Sequence, residues 1–563
     1  MAETFDFIVV GGGTAGCLIA ERLASTATKP SVALFEAGDT QASGSLRQTY
    51  HRFALAMTHP ELNYGSKSTP QAYYGGRQID MIRGKGLGGS SQINFQVWSL
   101  GARDEFDAWA ERTKAQEWGF ESILSSIKKI ENATVKIPTG WEKFSRQSAD
   151  CHGFSGPIEV SIGPLIEPEA KHILETAAEL GYPINLDQND GNPIGFGLSL
   201  NSNKKGFRTT SESAFLNKSL PNLRIYRDSF VAKIIFDGKR AIGVRCNSSE
   251  YFASKEIILT AGSIGSPNAL LHSGIGPLDE LQSLGIDVVQ DLPGVGKGFS
   301  DHPCIPVVYH MGHGFSERVS FASDEVKISA AEHELQSSKT GPLTQYMSSA
   351  VTAFLQFPGI VDFEGFNKLP SESRELLLKY TAPHFELVMP GPLIPPTYVF
   401  EDEQDGYLTM FITLMNPQSK GSVSIASADP NIPPVIDPNY LGSPFDRAAL
   451  KEATKETLRI LDAPYLKQYI KHPILAPSSS NDEDIEASIN PTVNLSTYLL
   501  IHVVSKAFTQ AAGMDRHLKV FGLQNLRVAD ISVAPLLPSG HTQIVAYIIG
   551  NVAFEKISEE WNL

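Results

Sequence analysis

The chain has 563 residues, 42% of them hydrophobic, which gives room for more than one domain and a real core and excludes disorder and fibre. Its 47 basic against 62 acidic residues leave a formal net charge of −15 with no long basic run, which argues against nucleic acid as a partner. Four cysteines, Cys17, Cys151, Cys246 and Cys304, stand without CxxC spacing, so neither a disulfide framework nor a structural zinc site is indicated and a reducing compartment fits.

Residues 7–10, Phe-Ile-Val-Val, form a short apolar run of aromatic and β-branched type, as a buried parallel strand requires. The run leads straight into glycines rather than to a cleavage site, and the late apolar stretch 544–549 is too short for a bilayer, so the sequence reads as a cytoplasmic chain without a membrane partner. The glycines are Gly11-Gly-Gly-Thr14-Ala15-Gly16, after which Ile19 and Leu23 recur with Ala15 at helical spacing. Strand, glycine turn and helix in that order predict a dinucleotide site: Gly11 for the turn, Gly13 for close approach of backbone to phosphate, Gly16 for helix–strand packing. Thr14 and Ala15 belong to the same loop, whose helix N-terminus would face the pyrophosphate. A second strand, 32–35, ends at Glu36, whose carboxylate is placed to bind the hydroxyls of an adenosine ribose. NAD and FAD share this fingerprint, so the choice between them has to come from elsewhere in the chain.

Three further stretches are informative. Residues 83–95, Arg-Gly-Lys-Gly-Leu-Gly88-Gly-Ser-Ser91-Gln-Ile-Asn94-Phe95, gather small residues where backbone can lie against a flat ring or a pyrophosphate. Residues 260–276 hold Gly-Ser-Ile-Gly-Ser-Pro followed by Leu-Leu-His-Ser-Gly-Ile-Gly, and residues 292–302 read Leu-Pro-Gly-Val-Gly-Lys-Gly-Phe-Ser-Asp-His.

Together with Leu526-Arg-Val-Ala-Asp530-Ile-Ser-Val-Ala-Pro535, these motifs resemble the glucose-methanol-choline (GMC) family of FAD oxidoreductases, in a pattern similar to fungal aryl-alcohol oxidases and formate oxidases. The resemblance implies an α/β GMC fold, with a discontinuous Rossmann-like FAD-binding domain and a substrate domain built on an antiparallel sheet. Its divisions would be an N-terminal FAD-binding region at 1–305, a substrate-domain region with a variable lid at 306–415, and a C-terminal region at 416–563 that carries the catalytic histidines and returns to the FAD domain. It also implies FAD as cofactor, with Gly11–Gly16 at the pyrophosphate, Glu36 at the ribose, Val231 at the adenine, and Asp530 near the pyrophosphate and ribityl. Gly88, Ser91, Asn94 and Phe95 would lie on the flavin side, with Thr542 and Gln543 beside them. Some relatives hold FAD covalently through a histidine where this chain has Ile93, so non-covalent FAD is expected.

The family's chemistry rests on two side chains. Pro538-Ser-Gly-His541-Thr-Gln543 matches the stretch that carries the second histidine of the aryl-alcohol oxidases. Formate oxidases have arginine there, and without that guanidinium a carboxylate substrate is disfavoured. The first histidine aligns with His502 in Ile501-His502-Val-Val-Ser505-Lys506 if Ser505 and Lys506 replace the Gly-Thr of an HPxGT motif; a rival alignment on Thr509 puts Ser505 in its place. His502 is the candidate base that takes the alcohol proton as hydride leaves for the flavin, His541 its partner at the same oxygen, and Phe95 and Ile501 the pocket walls. The resemblance thus predicts oxidation of a small-molecule alcohol, or of a polyketide-like one in fungal secondary metabolism, with O₂ a candidate acceptor. The alternative is a non-redox lyase or cyclase that keeps the fold and FAD. Other constellations are incomplete: Glu332-His-Glu-Leu lacks the second histidine of HExxH, and there is neither a GxSxG elbow nor a P-loop. Asp301-His302 reads as a structural corner, and His384, His472 and His517 as ordinary histidines.

Overall fold

The computed structural model describes residues 3–39, 44–51, 54–134, 136–163, 165–344, 351–489 and 514–563. The opening apolar run forms β1 (Glu3–Val10), buried from Phe7 onward because strands flank it on both sides. It is followed by α1 (Thr14–Ala24), whose Leu18, Ile19 and Leu23 are buried, and then by β2 (Val32–Phe35), parallel to β1 with Phe7 opposite Val32. This is the strand–helix–strand unit the glycine spacing predicts. After α2 (Arg103–Thr113), β3 (Leu223–Tyr226) adds to β2 in parallel. Next, β4 (Val231–Asp237), β5 (Arg240–Cys246) and β6 (Ser249–Leu259) run antiparallel to one another, and β6 returns alongside β1 in parallel. The sheet order is β3-β2-β1-β6-β5-β4, and α3 (Gly262–His272) follows β6.

A second sheet is wholly antiparallel. Its strands are β7 (Cys304–Met311), β8 (Val351–Leu355), β9 (Phe385–Met389), β10 (Gly406–Leu414) and β11 (Ile470–Leu475), in the order β8-β9-β10-β7-β11, with α4 (Arg318–Ala322) between β7 and β8. Every residue of β8, β9 and β10 is buried, so Glu386 in the middle of β9 is a carboxylate held inside the protein. A buried acid needs partners, and that marks it for inspection.

The chain then rejoins the first sheet: β12 (Leu526–Val528) pairs in parallel with the far end of β6, Ile257 opposite Leu526. The long helix α5 (Thr542–Trp561) crosses α1 where Gly550 meets Ala15; a Cβ on Gly550 would stand 3.2 Å from the Ala15 Cα. At its far end the Trp561 ring meets Phe7 edge-on. Fully buried Arg527 joins the three pieces, donating to Glu256 on β6 at 2.6 Å and to Glu560 on α5 at 2.6 Å. Among the described residues no helix is long and apolar enough to cross a membrane.

Candidate active site

The three fingerprint glycines are needed for three different reasons. Gly11 has φ +104° and donates its N–H to Phe35 O at 2.8 Å; a Cβ there would stand 2.7 Å from Thr260 O. A Cβ at Gly16 would collide with Gly11 O, so the first turn of α1 can sit this close to β1 only without a side chain. At Gly13, by contrast, the nearest protein atom to a Cβ is 3.8 Å away. Gly13 caps α1 without a side-chain bond and lines a cavity together with Gly11, Thr14 and Ala15, so the space a Cβ would fill there belongs to a ligand.

Glu36, just beyond β2, is buried on the same cavity wall. Its Oε2 accepts from Gly12 N at 2.9 Å, and its Oε1 from Gly38 N at 2.8 Å and Gly86 N at 2.9 Å. Burial pushes this carboxyl up, against the pull of those N–H groups. The acid therefore ties three loops together as well as facing the cavity. The glycine-rich segment 84–95 stacks on the fingerprint: Gly88 N donates to Gly12 O at 2.7 Å, and a Cβ at Gly89 would stand 2.7 Å from Gly13 Cα. Gly88 and Gly16 thus lie behind the wall rather than in it, whereas Ser91, Asn94 and Phe95 line the cavity. Val231 lines it at the start of β4. Asp530 also lines it, and Asp530 Oδ2 holds Gly262 N (2.9 Å) and Ser266 Oγ (2.6 Å) at the start of α3.

At the other end stands His541, the N-cap of α5. Its Nε2 lies 2.9 and 3.1 Å from the two carboxylate oxygens of Glu386. The approach to His541 is fixed from both sides. Glu105 on α2 accepts from Ser539 N (2.7 Å) and Ser539 Oγ (2.6 Å), His541 N donates to Ser99 O at 3.0 Å, and a Cβ on Gly540 would collide with Leu100 O. Burial pushes the Glu105 carboxyl up to about 7. Beyond His541, Thr542 and Gln543 also line the cavity, and Asn94 Nδ2 donates to Gln543 Oε1 at 2.6 Å. His502, Ile501 and Ser505 lie outside the described residues.

One cavity of about 1130 Å³ joins these features, running from the fingerprint and Glu36 to His541 and on to apolar residues that include Leu393, Ile394, Phe400 and Phe411. Three buried polar atoms on its lining residues, Thr542 Oγ1, Gln96 Nε2 and Asn268 Oδ1, have no hydrogen-bond partner among the described residues. Unmade bonds of this kind, an open cradle at Gly13 and free helix amides fit a large polar ligand such as a dinucleotide. Arg318 also lines the cavity, but its guanidinium is taken by Glu167, with Nε at 2.8 Å and Nη2 at 2.5 Å, and by Gly391 O. Asp301 accepts from Tyr440 Oη and from His302 N, and His302 Nε2 bonds Met415 O, so this pair is the structural corner the sequence suggests. Segment 314–400 supplies residues of α4 and Pro392, Leu393, Ile394, Pro396 and Phe400 to the cavity wall.

Sequence reasoning passed over the roles of Glu386 and Glu105. No local spacing in the sequence ties Glu386 to His541, 155 residues away.

A dinucleotide cradle on a mostly parallel sheet, continuous with a chamber that ends at a histidine–carboxylate pair, is the arrangement of a dinucleotide-dependent oxidoreductase. The chain belongs to the GMC oxidoreductase family: the model of the N-terminal GMC oxidoreductase region matches residues 5–304 and that of the C-terminal region 417–550. Patulin synthase of Aspergillus clavatus is 30% identical over 587 residues, covering 97% of this chain and 90% of that protein. An alcohol dehydrogenase (acceptor) of Pseudomonas putida is 30% identical over 566 residues, covering 98% and 95%. Among solved structures, an FAD-dependent oxidoreductase from Chaetomium thermophilum superposes with a TM-score of 0.84 at 25% identity, covering 99% of this chain and all of that one. The cofactor is FAD, and the residues that would hold it are those of the cradle just described.

Proposed function

We propose that the chain oxidises the CH–OH group of a neutral, largely apolar alcohol, with His541 and Glu386 forming the polar end of the reaction chamber. The observation that carries this reading is that His541, paired with buried Glu386, lines the same cavity as the fingerprint loop and the apolar wall. FAD supplies the hydride acceptor. Glu386 accepts from Nε2 of His541 and fixes the ring plane, which leaves Nδ1 as the ring nitrogen that can meet the alcohol oxygen. An alcohol gives up hydride readily only while its O–H proton is leaving, and the candidate for taking that proton is His502, with His541 hydrogen-bonding the same oxygen. Any positive charge that builds on the His541 ring is balanced by the buried Glu386 carboxylate.

The apolar lining supports an aryl or polyketide-like alcohol, and the likeness to patulin synthase supports a biosynthetic setting. Formate is disfavoured, because position 541 is histidine and the one guanidinium on the described cavity wall besides Arg83 is committed to Glu167. Ile93, buried on the cavity wall, offers no nucleophile for a covalent flavin bond, which supports non-covalent FAD.

The test is anaerobic mixing of the yellow protein with primary, secondary and benzylic alcohols while the oxidised flavin band is followed. Bleaching by an apolar alcohol is expected, and admission of air then tells whether O₂ is the acceptor. A band that persists with every alcohol, yet disappears with dithionite, would move the assignment to a non-redox lyase or cyclase.

A further inference from the structure

Arg208 is fully buried, and among the described residues no carboxylate pairs with it. Its Nη1 donates to Asn94 Oδ1 at 2.6 Å and to Ser91 O at 3.2 Å, while Nε and Nη2 have no partner among the described residues. The charge that acts on it is a second cation: Arg47, which donates to the Arg208 carbonyl from Nε (3.2 Å) and Nη2 (2.7 Å). Burial lowers its pKa to about 9, with Arg47 adding to the effect, which still leaves the guanidinium charged at neutral pH. An isolated buried charge is costly, and folded chains rarely keep one without an opposite charge to face.

Arg208 does not itself line the cavity, but its two acceptors do. Asn94, which it holds by the amide oxygen, passes its own amide N–H to Gln543, two residues after His541. We propose that Arg208 is a positioning residue that sets a positive charge behind Asn94, across the His541 end of the cavity from the Glu386 carboxylate, and that its missing counter-charge is the negative charge that bound flavin acquires on reduction. The guanidinium acts through Asn94: it fixes the amide with its N–H groups toward Gln543, and its uncompensated field raises the tendency of the bound flavin to accept electrons. This rests on the cavity being the FAD site, so the flavin band of each purified protein is recorded first; a wild-type protein that holds no flavin would refute that reading rather than this one.

The test compares wild-type holoenzyme with Arg208→Met, Arg208→Gln and Arg208→Lys, using two readouts independent of turnover. One is the midpoint potential of the bound flavin by equilibration with a reference dye. The other is the dissociation constant of sulfite, an anion that adds reversibly to flavins. Loss of one unit charge close to the ring at an effective dielectric of about 20 is expected to weaken sulfite binding about tenfold in the Met and Gln variants and to make their potentials more negative. Lys, which keeps the charge, should stay near wild type. Met or Gln protein that holds FAD with unchanged sulfite affinity and potential overturns the proposal. If neither neutral variant folds, Arg208→Lys decides: it loses the planar pair of bonds but keeps the charge, so wild-type sulfite affinity supports a charge role and a tenfold loss overturns it.

Discussion

Glu105 and Ser539, 434 residues apart in sequence, form two hydrogen bonds that set where His541 stands: the Ser539 backbone N–H at 2.7 Å and its hydroxyl at 2.6 Å both end on Glu105 Oε2. Glu105→Ala is expected to leave buried donors on Ser539 and Asn416 unpaired, at about 1–3 kcal/mol each, and to slow flavin reduction at least tenfold while FAD is retained. Thermal melting and single-turnover reduction measure the two effects separately, and normal reduction kinetics in the variant would refute the positioning role.

The same carboxyl sets a pH dependence of stability. In the unfolded chain Glu105 ionises near 4.5, whereas in the fold it keeps its proton up to about 7. Its contribution is therefore present below about 4.5 and is lost as pH rises through about 7. Glu105→Gln should flatten that part of the melting-temperature profile between pH 4.5 and 7.

His152 acts in a higher window. Burial opposes its charge, but hydrogen bonds to Asp187 and Glu131 outweigh it and push its pKa up to about 10. The stabilisation is complete below the unfolded value near 6.5 and is lost as pH rises through about 10. His152→Leu strands two buried acids, and a destabilisation of about 3–5 kcal/mol is expected by denaturant titration, with a flatter alkaline limb.

For the proposed His541–Glu386 pair, Glu386→Gln keeps the shape but not the negative charge that would balance positive charge building on the His541 ring. A fall of about 10²-fold in the rate of flavin reduction is expected, with the flavin-to-protein ratio unchanged. Flavin reduction at the wild-type rate would remove Glu386 from the proposed chemistry.

Gly13→Val and Gly16→Ala should fail in different ways. The space beside Gly13 is open to the cavity and its φ is −79°, so the valine protein is expected to fold and elute colourless. A methyl at Gly16 collides with Gly11 O, so the alanine protein is expected not to fold. Absorbance at the flavin band together with circular dichroism separates the two cases.

What could be read from the sequence was what neighbouring residues dictate. The fingerprint is legible because Gly11, Gly13 and Gly16 each answer a constraint within a few residues or across one strand pair, and Glu36 follows from where β2 ends. The antiparallel substrate sheet was legible by resemblance, and Asp301-His302 as a corner from the residues themselves. Glu386, Glu105 and Arg208 were not, because each acquires its meaning from a partner more than 100 residues away, brought close by β9, α2 and the loop before residue 211. Gly88 shows the limit of motif reading: the motif marks the right loop, but the backbone turns this glycine toward Gly12 O, and its neighbours Gly89 and Ser90 reach the cavity instead.

The return of the chain to the first sheet also sets an order of assembly during synthesis. Strands β1 to β6 can pair as soon as residue 259 has left the ribosome, yet Asp530, His541, Thr542 and Gln543 arrive only after the whole substrate sheet has been made. The cradle for the cofactor therefore stays open on one side through most of translation. It closes when β12 slots in beside β6 and Arg527 reaches Glu256 and Glu560, so the cradle has all of its walls only once residues 526–563 have been made.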